Sequence, residues 1–388
     1  MEKLETQVVV IGGGATGTAV LRDLAMRGLE AMLFERGNLS EGTTGNFHGL
    51  LHSGGRYAVK DKPAARECIE ENIVLRRIVP QAIEDTGGFF VALNDTDEQF
   101  LSNFLEGCAE VGIPTEVLSS SEALREEPEL SPQVRQAVAV PDGSVDAWNL
   151  CTGCVAAAKE YGARVHLFTP VTEILRQGDR VVGVAAEDQT SGEEYEIRAE
   201  YVIIATGPWT HQTAALAKVD IPMVLSKGTM VVLDGRPVKR AINRCRYPGD
   251  GDIIVPVGTT IVLGTTSVTI EDPDHFAIEE WEVDKMLDEG ITMVPKIEDM
   301  HLQRCFAGVR PLYEPPTEEG VADGREVSRA FYVLDHEQLD GVGGLVTITG
   351  GKVTTCRLMA EKTVDLVCAK MGIDAPCRTH LEPLPPTS

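Results

Sequence analysis

The chain has 388 residues, more than one hydrophobic core usually organises, so two domains are expected. Its formal net charge of −25 disfavours contact with nucleic acid and with anionic membrane surfaces, and an anionic ligand would need a local cluster of Arg or Lys. Nine irregularly spaced cysteines and a first strand within ten residues of Met1 predict free thiols in a reducing cytoplasm, without a leader peptide. No apolar run approaches the roughly 18 residues that span a bilayer, so no transmembrane segment is expected.

The first predicted element is a buried strand, Val8–Ile11, that runs directly into a glycine-rich turn. Gly12, Gly14 and Gly17 have the G-x-G-x-x-G spacing, and a helical pattern follows as far as Arg27. In a βαβ unit the first glycine permits the tight turn, the second lets backbone approach a pyrophosphate, and the third lets the helix pack closely on the strand. The N-terminus of the helix then offers N–H groups and a positive dipole end to phosphates.

A second strand, Ala31–Phe34, ends at Glu35, about 20 residues after the glycines. An acidic residue at this place accepts hydrogen bonds from a ribose 2′-OH and repels a 2′-phosphate. Strand, turn, helix and acid together predict a dinucleotide site. A glycine-rich turn without a ligand is the alternative.

Residues 42–57 are rich in Gly, Ser and Thr and are predicted to form a loop that carries two histidines, an arginine and a tyrosine. Three helices are predicted in the following part of the chain: Asp61–Ile78, Glu98–Val111 and Trp148–Tyr161. Cys151 and Cys154 lie inside the third helix. They lack a second ligand pair, so two core thiols are favoured over a zinc half-site.

The next predicted elements are short strands joined partly by hairpins: Arg164–Phe168, Val171–Leu175, Val181–Ala186 and Tyr195–Arg198. The run Tyr201–Gly207 ends in small residues and predicts a second contact with the dinucleotide. From Ile221 to Asp335, β-branched runs predict a separate, largely antiparallel domain with one helix, Ile278–Leu287. The strand and double-glycine turn of Gly343–Lys352 then lead into a helix, Thr355–Met371.

Dinucleotide-type segments at the start, in the middle and near the end of the chain favour FAD over a nicotinamide cofactor. A helix N-terminus after Gly350 and Gly351 would stabilise the charge that a flavin pyrimidine ring gains on reduction. A plain αβ turn is the alternative for these two glycines.

Six motifs in chain order resemble FAD-dependent glycerol-3-phosphate dehydrogenase, most closely the A subunit of the anaerobic enzyme, within the D-amino-acid-oxidase-like flavoproteins. The similarity spans essentially the whole chain. The motifs are Gly12–Gly17, His48–Tyr57, Ile242–Arg246, Gly308–Leu312, Val327–Arg329 and Gly350–Thr355.

The resemblance implies oxidation of sn-glycerol 3-phosphate at C2 to dihydroxyacetone phosphate, with hydride passing to flavin N5. It also implies quinone-linked partner subunits, with an iron–sulfur relay, that hold a cytoplasmic chain at the inner face of the cell membrane. The fold implied is a Rossmann-like FAD-binding domain (1–80, 141–215 and 336–380), interleaved with a largely antiparallel β substrate domain (81–140 and 216–335). Residues 381–388 are expected to form a linker-like tail.

The resemblance assigns roles residue by residue. The residues expected to act on the substrate are His52, Arg56, Tyr57, Arg310, Arg329 and Lys352. Those expected to bind FAD are Gly12, Gly14, Ala15, Thr16, Gly17, Glu35, Arg36, Thr43, Thr44, His48, Val171, Ala205, Thr206, Gly207, Gly350, Gly351, Lys352 and Val353. No metal is expected.

Physical chemistry agrees with the expected phosphate pocket, because planar arginine forks bind phosphate bidentately. His52 is favoured as the proton acceptor, with a structural histidine as the alternative. A solvated surface charge is the alternative for each arginine, and it is preferred for Arg246 and Arg304.

Two departures from the family pattern bear on the chemistry. The aerobic branch has a His at the end of a Lys-Gly-Ser-His strand, whereas this chain has Met230 after Lys227 and Gly228. The anaerobic protein usually continues into a Cys-rich domain, and no ferredoxin-type run occurs among the nine cysteines. An oxidase that uses O2 and a non-catalytic flavin-carrying or scaffold subunit remain as alternative functions.

Overall fold

The computed structural model describes residues 1–313, 315 and 329–386. Its helices are α1 (Ala15–Met26), α2 (Lys62–Ile78), α3 (Asp95–Val111), α4 (Ser120–Glu126), α5 (Ala147–Glu160), α6 (Thr210–Ala215), α7 (Glu280–Met293), α8 (His336–Leu339) and α9 (Cys356–Met371).

The strands in the same residues are β1 (Glu2–Glu5), β2 (Val8–Ile11), β3 (Ala31–Phe34), β4 (Leu50–Leu51), β5 (Ile83–Glu84), β6 (Gly88–Ala92), β7 (Glu116–Ser119), β8 (Gln136–Val140), β9 (Gly143–Val145), β10 (Arg164–His166), β11 (Val171–Gln177), β12 (Arg180–Glu187), β13 (Glu194–Arg198), β14 (Tyr201–Ile204), β15 (Met223–Asp234), β16 (Ala241–Arg244), β17 (Ile253–Val257), β18 (Thr260–Gly264), β19 (Val268–Ile270), β20 (Leu302–Tyr313), β21 (Phe331–Asp335) and β22 (Leu345–Gly350).

A six-stranded sheet forms the centre of the first structural unit, in the order β10-β3-β2-β14-β22-β21. Its strands run parallel except at the β21–β22 edge. Helices α1, α5 and α9 pack on one face, and the four-stranded sheet β1-β13-β12-β11 packs on the other. Both faces are therefore covered, which explains why β2, β3 and β14 consist of continuous buried apolar residues.

A nine-stranded sheet forms the second unit, in the order β19-β15-β18-β17-β16-β6-β8-β7, with β20 also paired to β15. The pairing is antiparallel except between β16 and β6. A Rossmann-like unit interleaved with a largely antiparallel β unit is the fold class that the sequence predicts, and this prediction is confirmed.

The two longest strands differ from the short runs that the sequence predicts. Strands β15 and β20 each have 12 residues and pair over most of their length. Charged residues such as Lys227, Arg304 and Arg310 interrupt their apolar pattern. The hydrophobic periodicity therefore does not predict the full length of these strands. Val327 and Ser328, from one of the six motifs, lie outside the described residues.

The domain boundary predicted between residues 335 and 336 separates a strand from its sheet. Strand β21 pairs antiparallel with β22 from Phe331↔Gly350 to Asp335↔Val346. Residues 331–335 therefore belong with the cofactor-side sheet and not with the second unit. The chain returns through the short helix α8 directly after β21, so that β21 can pair with β22. The polar sequence between the two strands did not predict this return.

The tail does not behave as the predicted linker in the part that the structure describes. Leu384 is 4% exposed and its N–H donates to the carbonyl of Ile78 at 2.7 Å. The buried Arg22 donates to the carbonyls of Thr379 and Glu382. Proline-rich composition misled the prediction, because these backbone carbonyls are satisfied by side chains far away in the sequence.

Cys151 and Cys154 lie in the core between α1, α5 and α9, as predicted, and all nine cysteines are free. Among the described residues, no helix has both the length and the apolar character that a membrane span requires.

Candidate active site

A cavity of about 900 Å³ runs along the carboxyl ends of the parallel strands in the six-stranded sheet. Gly12, Ala205 and Gly351, which follow β2, β14 and β22, form part of its wall. Ligands of open α/β sheets bind at this edge, and the volume is in the range of cofactor sites. The fold thus brings three distant segments of the sequence to one cavity.

The glycine-rich turn leaves bare backbone at the cavity wall. Gly12 has a φ of +111°, which L side chains rarely adopt. A Cβ on Gly14 would lie 3.0 Å from Oγ1 of Thr44, and a Cβ on Gly17 would overlap the carbonyl oxygen of Gly12. Helix α1 begins at Ala15, so its positive dipole end lies at this wall, where the N–H of Ala15 donates to Oγ1 of Thr44 at 3.1 Å.

The carboxylate of Glu35 is held in place by two backbone donors. Gly13 donates to Oε2 at 2.6 Å and Gly37 donates to Oε1 at 2.9 Å. Glu35 lines the cavity, and each carboxylate oxygen retains a lone pair for a further donor. Its position suits a ribose hydroxyl.

One buried polar atom of the cavity wall is left without a partner. Oγ1 of Thr206 is buried and has no hydrogen-bond partner in the described part of the chain, and Thr206 lines the cavity. Buried hydroxyls are almost always hydrogen-bonded in native proteins. A polar ligand in the cavity would satisfy this atom, so the residues present fit a dinucleotide.

The cavity wall includes a bridge between three side chains, two of which were not foreseen from the sequence. The guanidinium of Arg36 lies 4.0 Å from the centre of the Trp209 ring. Asp274 accepts hydrogen bonds from Arg36 at 3.0 Å and from Trp209 Nε1 at 2.9 Å. Trp209 follows the turn at Gly207, which was a usable signal, whereas Asp274 stands in a polar loop without a pattern.

Most of the residues predicted to bind FAD line this cavity. Gly17 packs against Gly12 instead, and His48 lies in the cluster described next. The predicted residues along the cavity are Gly12, Gly14, Ala15, Thr16, Glu35, Arg36, Thr43, Thr44, Val171, Ala205, Thr206, Gly207, Gly350, Gly351, Lys352 and Val353.

The cavity wall continues at Lys352 into a group of side chains that we call the cationic cluster. Nζ of Lys352 lies 4.9 Å from the centre of the Tyr57 ring and donates to the carbonyl of Arg329 at 2.9 Å. The cluster consists of His48, His52, Arg56, Tyr57, Arg310, Arg329 and Lys352. It includes every residue that the sequence analysis expects to act on a substrate.

The aromatic members of the cluster form a continuous chain. The ring centre of His52 lies 5.6 Å from that of Tyr57 and 5.6 Å from that of His48. Burial lowers the pKa of His52 well below its usual value, and the positive charges of Lys352 and Arg56 lower it further. Both imidazoles are therefore neutral near pH 7, as a proton acceptor or a neutral donor must be.

Arg56 is held by a buried carboxylate that the sequence did not single out. Asp252, which is fully buried, lies 3.3 Å from Nη2 of Arg56 and accepts two hydrogen bonds from Arg246 at 2.9 and 2.6 Å. Arg246 also pairs with Glu289 at 2.9 Å. The preferred interpretation of Arg246 as a solvated charge is thus wrong, because the fold places two carboxylates against it. Arg304, by contrast, stacks on Phe306 at 5.0 Å and has no ion-pair partner among the described residues.

Arg310 lies on β20, where it is paired with Ser226 of the antiparallel strand β15. Its guanidinium donates to Oγ of Ser226 at 3.1 Å, to the carbonyl of Thr266 at 3.1 Å and to Oγ1 of Thr265. A Cβ on Gly228 would come within 2.6 Å of Nη2. The guanidinium therefore lies flat on bare backbone, and this glycine is needed for its position.

Arg329 carries the second orphaned group of the site. Its Nη1 is buried and has no hydrogen-bond partner among the residues described. Burial lowers the pKa of Arg329, and the neighbouring Arg56 lowers it further while Tyr57 opposes the change. A buried, unpartnered guanidinium nitrogen beside a second arginine is costly unless an anion completes it.

The strand that lacks the family histidine holds a buried network instead. Lys227 donates to Oε2 of Glu282 at 2.7 Å, and Oε1 of Glu282 accepts from Thr229 at 2.9 Å and from Thr266 at 2.8 Å. Met230 is 1% exposed. This network supports the Thr266 carbonyl that anchors Arg310.

A group of metal-ligand type lies elsewhere, although none is expected from the sequence. Glu361, Cys377 and His380 have ligand atoms within 4.8 Å of one another. The guanidinium of Arg357 pairs with Glu361 and lies 4.0 Å from Sγ of Cys377, so the negative end of the group is already neutralised.

Comparison with known proteins adds to this geometry. The family profile of the FAD-dependent oxidoreductases matches residues 7–361. The A1 subunit of the anaerobic glycerol-3-phosphate dehydrogenase of Haloferax volcanii is 50% identical, over 99% of this chain and 67% of its own length. The corresponding A-type subunit of the Escherichia coli K12 enzyme is 42% identical, over 96% of this chain and 69% of its own length.

Solved structures show the same fold. The glycerol-3-phosphate dehydrogenase of Bacillus halodurans, complexed with FAD, has a TM-score of 0.75 at 23% identity, covering 98% of this chain and 68% of that chain. The L-α-glycerophosphate oxidase of Mycoplasma pneumoniae has a TM-score of 0.77 at 19% identity, covering 99% and 100%. The profile match and the near full-length similarity show that this chain belongs to the FAD-dependent oxidoreductase family that includes the A-type subunits of anaerobic glycerol-3-phosphate dehydrogenase.

Proposed function

We propose that the chain oxidises sn-glycerol 3-phosphate at C2 to dihydroxyacetone phosphate, with FAD as its cofactor. The observation that carries the proposal is the buried Nη1 of Arg329, which has no hydrogen-bond partner among the described residues, inside a cationic cluster that meets the cofactor cavity at Lys352. Because the net charge of −25 repels anions, an anionic ligand needs a local cationic cluster of this kind. The names of the curated relatives point to glycerol 3-phosphate as that anion.

The cofactor is proposed to lie along the cavity from the Arg36 end to the Lys352 end. Glu35 would hold the ribose, and the turn from Gly12 to Thr16 would hold the pyrophosphate. Thr206 would donate from its orphaned hydroxyl. When bound, FAD supplies a two-electron acceptor, which the side chains of this site cannot provide.

The arginines are proposed to have two roles: two of them bind the phosphate, and the third closes the pocket. Arg310 and Arg329 would bind the phosphate, because a guanidinium fork matches a phosphate dianion and Nη1 of Arg329 has no hydrogen-bond partner among the described residues. Arg56, held by Asp252, would close the pocket beside them. Lys352 stacks on Tyr57 and lies on the cavity wall, so it would connect the substrate to the cofactor end.

His52 is proposed to accept the proton of the C2 hydroxyl. Its imidazole is neutral, buried and adjacent to Tyr57. A neutral imidazole can take a proton at once, whereas a protonated one cannot. The dianionic substrate would raise the pKa of His52 by cancelling the field of Lys352 and Arg56, which makes the imidazole a stronger base in the complex.

The electrons are proposed to continue to a quinone through partner subunits with an iron–sulfur relay. The relatives are named as subunits, which supports the existence of partner chains. All nine cysteines of this chain are free and seven are buried, so they form no exposed cluster site. Association of the complex with the inner face of the cell membrane belongs to the same proposal.

We expect the purified protein to be yellow and to hold one FAD per chain without a covalent bond. Denaturation should release all of the flavin into the filtrate, because none of the family motifs in this chain calls for a covalent bond to the flavin. The absorbance of the filtrate at the flavin maximum, compared with protein concentration, measures this. A colourless protein that binds NAD would overturn the cofactor assignment.

The function is tested by anaerobic turnover of the holoenzyme with glycerol 3-phosphate and an artificial electron acceptor. We expect rapid reduction of the acceptor with glycerol 3-phosphate and very slow reduction with glycerol. The same assay with O2 alone separates a dehydrogenase, which forms little peroxide, from an oxidase. Flavin that stays oxidised with glycerol 3-phosphate would indicate the non-catalytic alternative and refute the proposal.

A further inference from the structure

The two histidines of the cationic cluster differ in what their ring nitrogens can do. His48 is partly buried between His52 and Gly264, where a Cβ on Gly264 would lie 3.8 Å from Cδ2 of His48. Met230 packs against the same glycine from another direction, with Cγ 3.2 Å from that Cβ position. The imidazole of His48 therefore lies near Met230, the residue that replaces the histidine of the aerobic branch.

The backbone determines the tautomer of His48. The N–H of Leu50 donates to Nδ1 of His48 at 3.1 Å. A backbone N–H can only donate, so Nδ1 must keep its lone pair. The proton of the neutral imidazole is then on Nε2, and this nitrogen can donate but cannot accept.

The surroundings keep His48 in that neutral form. Burial lowers its pKa to about 3, and the charges of Arg310 and Arg56 contribute to the shift. Protonation of Nδ1 would also break the bond to Leu50. The ring is thus an uncharged N–H donor near neutral pH.

His52 has the opposite arrangement. Its backbone is anchored, since its N–H donates to Oγ1 of Thr354 at 3.2 Å and its carbonyl accepts from Asn72 at 3.1 Å. No described residue hydrogen-bonds either of its ring nitrogens. The ring of His52 can therefore adopt the tautomer that accepts a proton from a neighbouring hydroxyl.

We propose that His48 donates a hydrogen bond from Nε2–H to the oxygen on C2 of the substrate, while His52 takes the proton from the same oxygen. This assignment rests on the proposed function. In the proton step the O–H bond of the C2 hydroxyl breaks and an N–H bond forms on His52. His48 keeps its proton and stabilises the negative charge that develops on the oxygen.

The tautomer is tested without substrate. Long-range ¹H–¹⁵N correlation spectra of histidine-labelled protein should show one histidine as the Nε2–H tautomer from pH 5 to pH 8. This signal should be absent from His48→Gln, which assigns it. An Nδ1–H tautomer, or a titration of His48 in this range, would overturn the inference even if glycerol 3-phosphate is oxidised.

The donor role is tested with ligands that do not react. Dihydroxyacetone phosphate has an acceptor oxygen on C2, and propane-1,3-diol monophosphate has none. His48→Asn keeps a polar group near Nδ1 and loses the Nε2 donor, so we expect it to weaken dihydroxyacetone phosphate about tenfold, the loss of one good hydrogen bond. Its binding of the diol phosphate should change less than about twofold, within the uncertainty of such comparisons. Perturbation of the flavin spectrum reports both dissociation constants.

A matched variant separates a donor from a spacer. His48→Gln places an amide N–H near the former Nε2 position, and it should recover most of the binding of dihydroxyacetone phosphate. Equal weakening of both ligands in His48→Asn, with no recovery in His48→Gln, would make His48 a structural residue and overturn the inference. If the wild-type holoenzyme binds neither phosphate ester, the proposed function fails, and the role of His48 at C2 fails with it while the tautomer result stands.

Discussion

Replacement of His52 by Asn is expected to lower kcat by about 10²–10⁴, the usual contribution of a positioned general base. The Asn side chain fills part of the space of the imidazole but cannot take a proton. In the wild-type enzyme, kcat should fall as the pH drops through the pKa of His52 in the substrate complex, because only the neutral ring accepts the proton. The variant should lose this limb of the pH profile.

The profile of kcat is the proper measurement, since the substrate phosphate itself titrates near pH 6 and affects kcat/KM. In the free protein, burial and the positive charges of Lys352 and Arg56 hold the pKa of His52 well below its usual value. Bound phosphate should raise that pKa, so the kcat limb should lie at higher pH than the enzyme limb of kcat/KM. A kcat profile of His52→Asn with an unchanged limb would move the role of base to Lys352 or to water.

Replacement of Arg310 by Ala should lower kcat/KM for glycerol 3-phosphate by one to three decades or slightly more. Loss of one partner of a buried charged pair costs about 2–5 kcal/mol, and each 1.4 kcal/mol is tenfold. Glycerol has no phosphate, so its already small kcat/KM should barely change. Steady-state assays with both substrates measure the difference.

Four further variants, one of them a double variant, sharpen the result. Arg310→Lys should recover little, because an ammonium group cannot replace the fork that Ser226 and Thr266 hold in place. Gly228→Ala should resemble Arg310→Ala in part, since its Cβ would displace the guanidinium. Arg329→Ala should act in the same way as Arg310→Ala, and the double variant should be non-additive if both grip one phosphate. If Arg310→Ala lowered kcat/KM equally for glycerol 3-phosphate and for glycerol, the phosphate would have to bind elsewhere.

The cofactor-side half of the molecule was predictable because its signals are local. The strand Val8–Ile11, the turn from Gly12 to Gly17 and the acid at Glu35 lie within one continuous βαβ unit. Each residue type there answers a demand of the backbone within a few positions, such as the φ of Gly12. Sequence periodicity and spacing therefore suffice for this unit.

The second unit was less predictable because its strands depend on distant partners. Strand β20 carries charges that interrupt its apolar pattern, and only its pairing with β15 makes it a strand. The same pairing places Arg310 opposite Ser226 and over Gly228. Nothing near Arg310 in the sequence indicates these contacts.

The sequence by itself determined the fold class, the dinucleotide fingerprint, the FAD-dependent family and the types of residue that act on an anionic substrate. Only the tertiary structure decided which groups are left without a partner among the described residues and which are fixed. These are Nη1 of Arg329, the carboxylate of Asp252 beside Arg56, and the tautomer of His48. The physical reason is that hydrogen-bond satisfaction depends on atoms brought together from distant segments, or on a backbone geometry that residue types do not specify. Composition and spacing name the groups of a site, and the folded backbone determines what each group can still bind.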